Sequence, residues 1–131
     1  NKSEDIRINK DMKNLSHTLI EKSLLYMQQK LYSDSISVIK SAIDLAIKYN
    51  DIEYILKGHY ELIKIYKILK LDNEIEDSYM QILNLLMNSD KEDYKDEIFR
   101  VCIELLRIFL TQNDIEKSMN ILDILESISW K

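Results

Sequence analysis

The sequence predicts an all-α chain of about three antiparallel helix pairs stacked one on the next. Three observations predict it. Gly occurs once and Pro never, while 46% of the residues are hydrophobic and 31% charged, so turn formers are scarce and helix formers abundant. A turn-then-helix segment recurs, as KLYSDSISVIKSAIDLAIKYND over residues 30–51, DNEIEDSYMQILNLLM over 72–87 and DIEKSMNILDILESI over 114–128. Each follows an apolar helix with an aromatic near its end, Tyr26, Tyr66 and Phe109, and a spacing of 40 and then 43 residues is that of a stacked helical array.

Taken in order, residues 1–10 are polar apart from Ile6 and Ile8 and read as a frayed lead-in or the tail of a preceding helix. From Met12 to Gln29 a helix places Met12, Leu15, Leu19, Leu25 and Tyr26 at inward spacing, with Ile20, Leu24 and Met27 as a second stripe beside them. After a turn at residues 30–32, Ser33 or Asp34 is the expected N-cap of a helix reaching about Tyr49, with Ile36, Ile39, Ile43 and Ala46 inward and Ser37, Ser41, Asp44 and Lys48 wet. Asp51 is the expected cap of a helix to about Lys70, whose inward residues are Leu56, His59, Leu62, Ile63, Tyr66 and Leu69. Gly58 inside it costs about 0.5 to 1 kcal/mol against Ala, which a close helix contact would explain. The next helix covers about residues 73–87, with Ile75, Tyr79, Ile82, Leu83 and Leu86 inward, and the polar NSDKE of residues 88–92 is a loop within one domain. The third pair runs over 93–112, with Ile98, Val101, Cys102, Leu105, Leu106 and Phe109 inward, and over about 114–129, with Met119, Leu122 and Leu125 inward. That last helix also carries Ile121, Ile124, Ile128 and Trp130, more apolar surface than a terminal solvent face needs, so a downstream helix or a second copy is expected to cover it.

At 131 residues, one domain over 1–131 is expected, and from a start at Asn1 rather than Met it is expected to be a piece of a longer protein. A net charge of −5 argues against nucleic acid as the main partner, because phosphates demand a concentrated basic surface. The single cysteine excludes an intrachain disulfide and a cysteine-based zinc site, and fits a reducing cytoplasm; no apolar run has the length of a membrane span. His17 and His59 lack ligand-spaced partners, so no metal or other cofactor is expected. Cys102 lies on an inward face, where a thiol behaves as a small hydrophobe with a raised pKa, and with no nucleophile motif or Gly-rich phosphate loop the chain is not expected to be an enzyme.

With Tyr26, Ser35, Ile39 and Ala42 in the first pair, Tyr66, Ile75, Tyr79 and Ile82 in the second, and Phe109, Ser118, Leu122 and Leu125 in the third, the chain resembles the tetratricopeptide repeat family over residues 15–128, particularly the longer repeats of bacterial regulatory proteins. The family's usual Trp, first-helix Gly and closing Pro are absent. The resemblance implies a right-handed α-solenoid with a concave face lined by the first helix of each pair; an unrelated antiparallel bundle is the other arrangement the pattern allows. The groove positions it implies are His17, Ile20, Leu24, Met27 and Gln28, then Lys57, Tyr60, Lys64 and Lys67, then Arg100, Ile103, Arg107 and Thr111.

Five cations on that groove would hold carboxylates, Arg in bidentate fashion and Lys as a point charge, with Tyr60 adding a flat contact and Ile20, Leu24 and Met27 an apolar end. The competing reading makes the Lys57–Glu61 and Arg100–Glu104 spacings ordinary surface pairs and the Ile20 trio ordinary core. The function implied is a protein- or peptide-binding sensor or scaffold in a bacterial regulator, its ligand an extended segment with acidic and apolar parts. It resembles the sensor arrays of peptide-pheromone-responsive regulators, without a helix-turn-helix in these residues. The alternative is an assembly element that dimerises a larger signalling enzyme or regulator through its last helix.

Overall fold

The computed structural model describes residues 2–90 and 92–129. Six α-helices occur among them and no strand: α1 Lys2–Gln28, α2 Tyr32–Lys48, α3 Ile52–Leu69, α4 Asp72–Met87, α5 Lys95–Thr111 and α6 Ile115–Ser129. They gather into two compact units, one ending at Leu71 and one beginning at Asp72.

Helix ends are set by a turn that the sequence disguises. Lys30, Asn50, Lys70 and Asn113 all take left-handed backbone, with φ between 55° and 60°, where a chain richer in Gly would place Gly. At each, the following amide reaches back five residues: Leu31 N–H to the Tyr26 carbonyl, Asp51 to Ala46, Leu71 to Tyr66 and Asp114 to Phe109, all at 2.8 to 2.9 Å. The three aromatics of the sequence repeat thus accept the bond that closes α1, α3 and α5. This turn also displaces the expected cap of α2. Leu31 is the N-cap, with no side-chain bond, because the helix resumes at once at Tyr32 and leaves Ser33 and Asp34 inside it.

In the first unit, α1 and α2 pack along a seam of small residues. Ser16, Ile20 and Ser23 are buried, whereas Leu15 and Leu25, expected inward, are 44% and 56% exposed. Two of the seam's serines donate to backbone carbonyls: Ser23 Oγ to that of Ile20 in its own helix, and Ser35 Oγ across from α2 to that of Ser23 at 2.9 Å. Residues 2–10, expected to be a frayed lead-in, continue α1 unbroken, with Glu4 and Asp5 favourably placed in its first turn. Helix α3 then lies on α2, with Asp51 Oδ1 accepting from Tyr54 N–H as the expected cap. A Cβ at Gly58 would sit on Ile43 Cγ1 and 3.0 Å from its Cδ1, so the close contact expected there exists. Leu69, expected inward, is 38% exposed because α3 ends in its turn one residue later.

In the second unit α5 packs between α4 and α6. Its core combines Ile82, Leu83 and Leu86 of α4 with Ile98, Val101, Cys102, Leu105 and Phe109 of α5. Helix α4 ends in the polar stretch as expected, its last carbonyls taken by the side chains of Asn88 and Ser89, and α5 starts at Lys95, two residues later than expected. Helix α6 is rotated from its expected face. Ser118, Ile121 and Leu125 are buried, while Met119 is 53% and Leu122 37% exposed. As on α1, a small serine rather than the bulkiest residue takes a buried position. Trp130 lies outside the described residues.

Candidate ligand-binding surface

Helical spacing on α3 puts Lys57, Tyr60, Lys64 and Lys67 on the side away from the Gly58 contact with α2. Lys57 and Tyr60 are half-buried, and Lys64 and Lys67 exposed. None of the four fills the core.

A polar cluster shared with α1 adjoins this face through Lys57. Tyr54 is its hub, and sequence reasoning missed it. Its hydroxyl lies 3.0 Å from His17 Nδ1 with the rings edge to face. The ammoniums of Lys13 and Lys57 each stand 5.8 Å from its ring centre, a cation–π distance. Carboxylates alternate with these cations: Glu53 is 3.4 Å from Lys13, and Glu61 is 3.1 Å from Lys64. The signal in the sequence was the i, i+3 spacing of Tyr54 and Lys57, which sets the two side chains beside each other along α3.

Glu61 is itself largely buried, and among the described residues its Oε2 accepts no hydrogen bond. Leaving a buried acceptor unsatisfied costs about 1 to 3 kcal/mol. The ion pair also differs from expectation. Glu61 meets Lys64 rather than Lys57, and Glu104 meets Arg107 at 3.0 Å rather than Arg100. In both pairs the carboxylate precedes the cation, the orientation that suits the helix dipole.

On α5, Arg100 and Arg107 are exposed and Ile103 is half-buried between them in sequence. Arg107 keeps most of its guanidinium in water despite its partner, with 70% of its side chain exposed. Thr111 donates its hydroxyl to the Arg107 carbonyl. The proposed apolar end on α1 is divided: Ile20 is fully buried and belongs to the core, whereas Leu24 and Met27 are half-buried and His17 and Gln28 exposed.

Two hollows lie elsewhere. A cleft of about 420 Å³ in the first unit is bordered by Lys10, Lys13, Ser16, Tyr49, Asn50 and Asp51 among others. A hollow of about 150 Å³ in the second unit lies over Phe109 beside Glu76, which accepts from Gln112 and Lys117. None of the predicted groove residues lines either. Burial pushes the Cys102 thiol from its ordinary 9.0 up to about 11, leaving it a protonated core group at neutral pH. Among the described residues no cluster of three or more His, Cys, Asp and Glu forms a metal-holding group, and no helix is long and apolar enough to cross a membrane.

Compared with protein-family models and with curated proteins, the chain matches none.

Proposed function

We propose that the chain is a protein- or peptide-binding module of tetratricopeptide-repeat-like helix pairs, the cytoplasmic sensor or scaffold part of a bacterial regulator. The observation that carries this reading is the face of α3, where Lys57, Tyr60, Lys64 and Lys67 stand together outside the core of an acidic protein. A basic face outside the core suits a ligand with carboxylates. The ammoniums supply charge, and Tyr54 and Tyr60 supply flat contact. Arg100, Ile103 and Arg107 offer a second basic face on α5, and Met27 an apolar contact on α1.

The test uses two synthetic extended peptides of alternating Leu with Glu or with Lys, titrated by fluorescence anisotropy. The Glu peptide should bind, the Lys peptide should not, and Lys64→Glu with Arg107→Glu should abolish binding while the helical circular dichroism stays the same. Equal affinity of wild type and variant for the Glu peptide would overturn the reading.

A second reading, an assembly element that forms a homodimer through α6, draws on the exposure of Ile115, Met119 and Leu122. A mass that rises with concentration and falls back on Leu122→Glu would favour it.

A further inference from the structure

Helices α2 and α6 share a register, and only one of them has its outer face covered. Counting from the left-handed turn residues Lys30 and Asn113, Tyr32, Ile36, Ile39 and Ile43 of α2 correspond to Ile115, Met119, Leu122 and Glu126 of α6. On α2 this face receives a helix: Ile39 is 0% and Ile43 5% exposed, both against Gly58 of α3. On α6 the corresponding Ile115, Met119 and Leu122 are 77%, 53% and 37% exposed. An apolar stripe thus occupies the place where a helix docks in the first unit.

Charge specifies the occupant. Where α2 offers Ile43 to a glycine, α6 offers the exposed carboxylate of Glu126, and Glu116 and Asp123 border the stripe on its open side. Two copies of this face would bring like charges together, which opposes self-association. A cationic helix would instead neutralise them while burying the three apolar residues.

We infer that the Ile115, Met119 and Leu122 face of α6 docks an amphipathic helix of a protein partner, with an apolar seam flanked by Lys or Arg and a long cation, not glycine, at the position that Gly58 holds against α2. This surface is independent of the α3 face and stands or falls separately from the peptide-binding reading.

Two synthetic helical peptides with the same Leu seam, one flanked by Lys and one by Glu, are titrated against the protein by fluorescence anisotropy. The Lys-flanked peptide should bind and the Glu-flanked one should bind at least about tenfold more weakly. Leu122→Glu, at an exposed position, should abolish binding with helicity retained, and Glu126→Lys should shift preference toward the Glu-flanked peptide. Lys64→Glu should leave this binding unchanged, which separates it from the α3 face. Binding that ignores flank charge, no binding at all, or a homodimer lost on Leu122→Glu would each overturn the proposal.

Discussion

Helices α2 and α6 follow the same closing turn, begin at the same offset from it and bury a serine at the same position, Ser35 and Ser118, yet their outer faces differ in fate. Ile39 has no exposed surface, whereas Leu122, its counterpart, is more than a third exposed. Local sequence therefore sets where each helix starts and which side meets its hairpin partner. The neighbouring face differs between them: α3 covers it on α2, where isoleucine stands, and it is exposed on α6, where a carboxylate stands among apolar residues.

The sharpest test truncates the two counterparts. Ile39→Ala should cost about 2 to 5 kcal/mol through the cavity it leaves, and Leu122→Ala about 1 kcal/mol or less, read from urea midpoints. Equal costs would mean that the α6 face is covered within the chain, and the comparison would break.

Next in size is a titration confined to the core of the second unit. The unfolded thiol of Cys102 ionises above its ordinary 9.0 while the folded one stays protonated up to about 11. Between those values the unfolded state binds fewer protons, so stability is fully present below pH 9 and falls as pH rises, by up to about 1.4 kcal/mol per pH unit. Cys102→Ala should remove that slope from a series of denaturation midpoints, and a slope that persists unchanged would assign it to other groups.

Gly58→Ala probes the covered face itself. Crowding Ile43 should cost about 1 to 3 kcal/mol, offset by about 1 kcal/mol of improved helix propensity, for a net loss seen as a lower thermal midpoint. A net gain would show that the α2–α3 contact yields easily.

The smallest effects belong to the turns the two hairpins share. Lys30→Gly should stabilise by about 1 kcal/mol, since a lysine in left-handed backbone is strained, while Asn113→Gly should gain only a few tenths because asparagine tolerates that conformation. Equal gains would mean that the closing turns are not energetically alike.

Reading this chain from its residues found the helices and the breaks between them, because 3.6-residue periodicity and the polar clusters around Asn50, Asn88 and Asp114 mark them directly. It missed the rotation of α1 and α6 by weighing bulk. Leu15, Leu25, Met119 and Leu122 are the larger residues, but Ser16, Ser23 and Ser118 are the ones buried, and the hydroxyls of Ser23 and Ser118 donate to the backbone carbonyls of Ile20 and Asp114. A serine in phase with isoleucine on such a helix was the available sign. On the candidate surface the cations of α3 were legible from spacing alone. Tyr54 was not, because its role depends on His17 and Lys13 of α1, brought beside it only by tertiary packing.

The self-closing helix ends also bear on how quickly the native arrangement is reached. Within each unit every helix packs on elements one or two places away in the chain. Each closing turn is specified by a handful of consecutive residues. Little of the search therefore involves distant segments finding one another, and such low contact order places folding in the microsecond-to-millisecond range. Amide exchange should then report openings of single helix pairs, with the amides of Leu31, Asp51, Leu71 and Asp114 protected along with the helices they close.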